Sequence, residues 1–379
     1  MDLFVKYIDE LLLKSTPEAP LWNIEKIREG KKCTWNYIDG CMIKAVLQMY
    51  YLTGDKKYLD FADGFTDFRV HDDGSIDGYN PANLNLDDLN AGKTLFELYD
   101  LTKKEKYKKA LDNVYSQIAM MPRTVEGSFW HKQIYPNQVW LDGLYMCMPF
   151  YLLYEIRFNS SKNLDDIKNQ FDLVQKNMLD RRSGLLYHAY DCSREAFWCD
   201  RVTGLSNNFW LRALGWYSMA LLDSADILMQ NGIGDEFFAS LKDAFVRLID
   251  AMLKYQDESG MWYQVVNMGG MTEKGNYLET SGSAIFAYAI YKGVRLGILD
   301  KSYKIYADKA FNGICDKYLS AENDELHLGG ICLVAGLGGK TMRDGTFAYY
   351  MSEPIVNDDA KGVAPLLLAY TEKMWFEKN

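Results

Sequence analysis

Apolar and polar positions along the chain fall into two kinds of helical segment. In the first, hydrophobic residues occupy every side: 39–50 (DGCMIKAVLQMY), 90–99 (NAGKTLFELY), 142–154 (DGLYMCMPFYLLY), 214–223 (LGWYSMALLD), 281–290 (SGSAIFAYAI) and 361–370 (KGVAPLLLAY). Each begins near a glycine, and a helix apolar nearly all round is a buried one. The second kind is charged and amphipathic and recurs faintly. Segment 51–63 (YLTGDKKYLDFAD) aligns with 100–112 (DLTKKEKYKKALD), so that Thr53 meets Thr102 and Tyr58 meets Tyr107. Segment 298–310 sets Asp300 and Tyr303 opposite Asp55 and Tyr58, and 233–245 is a weaker fourth copy. Leu3, Tyr7, Leu11 and Leu12 follow the same helical spacing at the start of the chain.

Six buried helices alternating with amphipathic ones predict an all-α fold. Neighbouring hairpins then supply each other's core. An open solenoid is the alternative, but six units without evident cap repeats favour closure into an (α/α)6 barrel. The loops before the inner helices would gather at one face and line a central pocket. Short strand-like pieces at 127–135 and 260–266 predict small β-hairpins at the barrel mouth. With no Pro/Gly/Ser-rich linker, residues 1–379 read as one domain.

Charge narrows the partners. There are 42 basic and 52 acidic side chains, a net charge of −10, which argues against nucleic acid and anionic membranes as partners. No apolar run is long enough to span a bilayer, and the first twenty residues lack a signal-peptide pattern, so a cytoplasmic location is expected. The seven cysteines form no CxxC pair and the four histidines no HExxH, so neither a metal nor another cofactor is expected. Aromatics are abundant at 14%, with 27 Tyr, 18 Phe and 9 Trp, and they suggest a lined cavity.

The densest constellation of chemical side chains is 129–146, where Trp130, Tyr135, Trp140 and Tyr145 surround His131, Lys132 and Asp142. An Asp at a helix start ordinarily caps it. Enclosed by Trp and Tyr it loses hydration, which favours the protonated carboxyl and suits proton donation near neutral pH. Asp87 and Asp88 open another inner helix; one can cap it while the other faces the pocket, and the spacing does not decide which. In 206–221, Arg212 stands between Trp210 and Trp216, and two aromatic planes with a fork of donors suit a sugar ring bearing a carboxylate. His131 and His188 are neutral hydrogen-bonding candidates. The Gly-rich stretch 334–354 lacks the phosphate-binding GxxxxGK[ST] spacing, and its glycines instead let backbone approach a ligand.

Taken in order, these motifs resemble the unsaturated rhamnogalacturonyl hydrolases of glycoside hydrolase family 105. The resemblance rests on W-x-Y-x-x-G (Trp35, Tyr37, Gly40), LDDLNAGK (86–93), FWHKQIYPNQVWLDGLYM (129–146) and W-x-R-x-x-G-W (Trp210, Arg212, Gly215, Trp216). AGLGG (335–339), RDGTFAYYMSEP (343–354) and NDDAKGVAP (357–365) extend it over nearly the whole chain. It implies a six-hairpin α/α barrel acting on small acidic oligosaccharides that end in a 4,5-unsaturated galacturonate. It further implies Asp142 as general acid/base, protonating C4 and then activating the water that attacks C5, with Asp87 as the second acidic residue. Asn36, Tyr37, Asp88, His131, Lys132, Tyr135, Trp140, His188, Trp210, Arg212 and Trp216, and the backbone at Gly336 and Leu337, are the implied substrate contacts. Two alternatives remain: an unsaturated glucuronyl hydrolase acting on glycosaminoglycan fragments, and a non-catalytic carbohydrate-binding barrel.

Overall fold

The computed structural model describes residues 3–234 and 236–378. Asp235, within the fourth repeated segment, lies outside them. The helices run α1 (Leu3–Leu13), α2 (Ile24–Glu29), α3 (Tyr37–Thr53), α4 (Lys56–Asp67), α5 (Gly92–Thr102), α6 (Glu105–Met120) and α7 (Leu141–Phe158). They continue through α8 (Leu164–Met178), α9 (Leu211–Gln230), α10 (Glu236–Leu253), α11 (Thr280–Arg295), α12 (Lys304–Tyr318), α13 (Phe347–Ser352) and α14 (Ala360–Lys378).

Helices α3, α5, α7, α9, α11 and α14 are the six apolar segments, and they form the inner ring. Each packs on the next, and α14 packs on α3, so the ring is closed. Inner helices approach closely at their first turns, where the glycines stand. A Cβ on Gly40 would lie 2.5 Å from Ala91 Cα, and one on Gly282 would lie 2.3 Å from Leu211 Cγ. Any larger residue there would push neighbouring helices apart.

The amphipathic helices α4, α6, α8, α10 and α12 cover the ring. The aromatic anchors of α4 and α6 are buried, Tyr58 bonding to Asp9 on α1 at 2.9 Å and Tyr107 to Asp63 on α4 at 2.6 Å, whereas Tyr303, just ahead of α12, is half-buried. The sixth outer helix is α1. Its Phe4 packs edge-on against Phe311 of α12 and tilted against Tyr370 of α14. The last hairpin is therefore assembled from the first and the last helices of the chain.

The fold is the expected all-α (α/α)6 barrel, but its strands differ from the two anticipated pieces. Three antiparallel pairs form: β1 (Gln138–Trp140) with β2 (Ala189–Asp191), β3 (Leu319–Glu322) with β4 (Glu325–Leu328), and β5 (Ile331–Cys332) with β6 (Ile355–Val356). Segments 127–135 and 260–266 make only isolated bridges. The reason is visible in 129–133, whose backbone is divided among three neighbours: Trp130 donates to Pro122, His131 to Gln138 and Gln133 to Leu84. No single partner runs alongside long enough to build a ladder. Among the described residues, no helix is long and apolar enough to cross a membrane.

Candidate active site

At the end of the barrel where the inner helices begin lies a cavity of about 240 Å³, lined by the starts of α3, α7 and α9 and by the loops around them. Asp142 sits in the first turn of α7, where Trp140 is the N-cap residue and makes no side-chain cap bond. The Asp142 carboxylate does not cap the helix either. Neither of its oxygens accepts a hydrogen bond from the described residues, and buried Oδ2 stands 3.4 Å from His188 Nε2, outside hydrogen-bonding geometry. Leaving a buried carboxylate oxygen unpaired costs about 1–3 kcal/mol or more, so this oxygen has room for a donor from outside the chain.

Asp87 occupies the same cavity, presented by a 3-10 turn at Leu86–Leu89 that Asn85 caps. Its Oδ2 is 2.6 Å from Lys132 Nζ and its Oδ1 is 3.6 Å from His131 Nε2. Burial, the largest single influence, would lift this carboxyl, but the charge and hydrogen bond of Lys132 together with His131 hold it below the ordinary carboxylate range. Asp88 points elsewhere, accepting from its own turn's Asn85 at 3.1 Å. Burial, and then repulsion from Asp87, raises Asp88 to about 7. The pair thus divides into an ionised pocket carboxylate and a carboxyl half protonated near neutrality outside the lining.

His131 is buried, and burial pushes its imidazole down to about 4, so the ring is neutral at physiological pH. It stacks on Trp140 with centroids 4.5 Å apart, and Trp140 stacks also with Tyr135 at 5.1 Å. A second stack, Tyr145 on Trp216 at 5.0 Å, joins α7 to α9. Arg212 is fully buried with its guanidinium 4.8 Å from the Trp210 ring. Its donors reach Ser281 Oγ at 3.1 Å and the backbone carbonyls of Cys332 and Leu333. Arg212 therefore shapes the cavity wall at β5 as well as lining the cavity.

The structure brings Tyr37, Asp87, His131, Lys132, Tyr135, Trp140, Asp142, Trp210, Arg212, Trp216 and Gly336 to one cavity. Asn36 and Leu337 lie outside its lining. The Asn36 side chain caps α3 at Asp39 N, 2.9 Å away, and also donates to Asp39 Oδ2. Leu337 is buried in a small cluster with Trp140, Ala189, Trp198 and Cys199. His188 stands behind Asp142, its Nδ1 2.8 Å from the Tyr350 hydroxyl. Two charged lining residues were not among the expected contacts: Glu25 of α2 and Arg343, whose guanidinium reaches the Gly338 carbonyl at 3.3 Å and Tyr135 Oη at 3.4 Å.

Against this geometry, the profile of Glycosyl Hydrolase Family 88 matches residues 19–376. The chain belongs to this family. Its kinship with family 105 is also direct: a family 105 glycoside hydrolase from C. acetobutylicum ATCC 824 is 44% identical, with a TM-score of 0.89 over 98% of both chains. The unsaturated rhamnogalacturonyl hydrolase YesR of Bacillus subtilis strain 168 is 24% identical over 288 residues, 74% of this glycoside hydrolase and 76% of YesR. Protein Atu3128 of Agrobacterium fabrum is 37% identical over 236 residues, 60% of this chain and 98% of that one. An unsaturated glucuronyl hydrolase specific for heparin shares the fold, with a TM-score of 0.67 at 14% identity.

Proposed function

We propose that this glycoside hydrolase removes a 4,5-unsaturated galacturonyl residue from the non-reducing end of rhamnogalacturonan fragments by hydrating its double bond. The observation that carries the reading is the Asp142 carboxylate, which lines the cavity and receives no hydrogen bond from the described residues. In its protonated form Asp142 gives its proton to C4. Positive charge then builds at C5 and the ring oxygen, facing Asp87, which Lys132 keeps ionised. Water adds to C5 and yields its proton to the Asp142 carboxylate, restoring the acid. The hemiketal so formed opens at the C5–O5 bond, leaving a hemiacetal at C1 that expels the second sugar. One carboxyl acting twice distinguishes this route from the usual pair that flanks a glycosidic bond.

The size of the cavity supports action on a terminal residue. At about 240 Å³ it falls below the ~300–1,000 Å³ of drug-sized pockets and suits one ring. A wider cavity of about 570 Å³ shares Val334 and Arg343 with it and offers room for the sugars beyond the cleaved bond. YesR's name supplies the substrate class, and the Trp210, Trp216 and Arg212 wall suits an acidic ring.

The test follows the ultraviolet band of the conjugated uronate in an unsaturated galacturonyl-rhamnose disaccharide. Wild type should bleach it, and Asp142→Asn should be slower by about 10²–10⁴-fold. An inactive wild type, or a fully active Asp142→Asn, overturns the proposal. Faster turnover of an unsaturated chondroitin disaccharide would move the substrate class to glucuronyl sugars.

A further inference from the structure

Glu25 is an unexpected occupant of a pocket for an acidic sugar. It projects from α2, a single exposed turn and a half whose sequence, IEKIRE, has no buried residue. Its Oε1 accepts from Lys361 Nζ at 2.6 Å. Lys361 belongs to the first turn of α14 and is completely buried, as is Asp359, which takes the same ammonium at 3.0 Å. The Asp359 carboxylate also accepts from the Lys361 backbone N–H at 2.9 Å, which fixes the lysine stem. One buried cation thus holds two carboxylates, one inside the protein and one on the cavity wall.

Glu25 lines the cavity, and among the described residues the hydrogen bond its carboxylate accepts falls on Oε1. An ionised carboxylate is an acceptor only, so the groups it welcomes are hydroxyls and N–H donors. A sugar ring offers hydroxyls. An anionic ester at the same place would meet a fixed like charge, which disfavours it. We propose that Glu25 is a specificity-determining residue: it accepts a hydroxyl of the bound unsaturated uronate and excludes uronates that carry a sulfate ester on that ring. The inference rests on the proposed function only in taking an unsaturated uronate as the ligand.

Binding, measured by calorimetry in the Asp142→Asn background, tests Glu25 without needing turnover. The probes are an unsaturated uronyl disaccharide with free ring hydroxyls and the same disaccharide sulfated on the unsaturated ring. Asp142→Asn should bind the free form about ten- to hundredfold more tightly, the worth of one hydrogen bond to a charged group. Adding Glu25→Gln, which keeps an oxygen for Lys361 and removes the charge, should bring the two affinities within about threefold. A ratio unchanged by Glu25→Gln, or an equal loss for both sugars, overturns the role and leaves Glu25 as a tether between α2 and α14. Binding of neither sugar to Asp142→Asn overturns it as well. A wild type that binds the free form but does not bleach it sinks the proposed reaction alone.

Discussion

His188 Nε2 and Asp142 Oδ2 face each other across 3.4 Å of protein interior, and neither makes a hydrogen bond. On its other side His188 Nδ1 lies 2.8 Å from the hydroxyl of Tyr350, a phenol that burial keeps protonated. If Tyr350 donates, Nδ1 is the acceptor and the imidazole proton sits on Nε2, aimed at Asp142. A small displacement of the carboxylate on binding would then close that hydrogen bond and support the Asp142 anion once it has given up its proton.

Removing the hydroxyl releases this tautomer. Tyr350→Phe is expected to lower kcat about tenfold, the worth of one buried hydrogen bond, with KM little changed. Steady-state kinetics on the unsaturated disaccharide check this, and an unaltered kcat would show that the imidazole has no say in the chemistry.

Asp87 and Asp88 should separate cleanly under substitution. Asp88, raised to about 7 by burial and by Asp87, already carries a proton much of the time, and Asp88→Asn resembles that state. Asp87→Asn instead leaves Lys132 without its counter-charge at 2.6 Å. Activity within about threefold of wild type is expected for Asp88→Asn, and a loss of about a hundredfold or more for Asp87→Asn. Equal losses would contradict this division.

His131 makes stability depend on pH. Burial pushes the folded imidazole down to about 4, against about 6.5 for a free histidine side chain. Between those values the unfolded chain takes up a proton that the folded one refuses, so stability is full above 6.5 and falls as the pH drops toward 4. Denaturant unfolding at about pH 7.5 and about pH 5 should show a smaller acid loss for His131→Gln than for wild type. Identical losses would place the acid sensitivity elsewhere.

Arg212→Lys preserves charge but not shape. One ammonium cannot reach Ser281 Oγ and the carbonyls of Cys332 and Leu333 as the guanidinium does. The stranded carbonyls should lower stability by about 1–3 kcal/mol and raise KM about tenfold. Thermal unfolding and kinetics read both; a rise in KM without a loss of stability would mean that Arg212 serves the ligand only.

Much of the barrel was legible because a helix surrounded by other helices cannot afford polar positions. The segments at 142–154 and 281–290 announce α7 and α11 for that reason. Asp142 was legible too, as a carboxyl among aromatic rings. Glu25 was not: in IEKIRE it reads as a solvated charge, and only the packing of α2 on Lys361, 336 positions away, turns it inward. Arg343 was hidden similarly, since its loop suggested backbone contacts through Gly336 and Gly338 and gave no sign that the guanidinium would fold back over Tyr135. The strand pairs escaped because β5 and β6 hold only two residues each, too short for alternation to register.

The hairpin built from α1 and α14 has a consequence for how the molecule is made. Five hairpins can dock in order as the chain emerges from the ribosome, but the ring stays open until α14 is synthesised, and α1 must wait for it. The pocket wall, which needs Glu25 from one side of this seam and Lys361 from the other, forms only at that final step. Once shut, the seam ties α1 to α12 and α14 through Phe4. Slow, cooperative unfolding after late, long-range closure is the kinetic signature such a latch should leave.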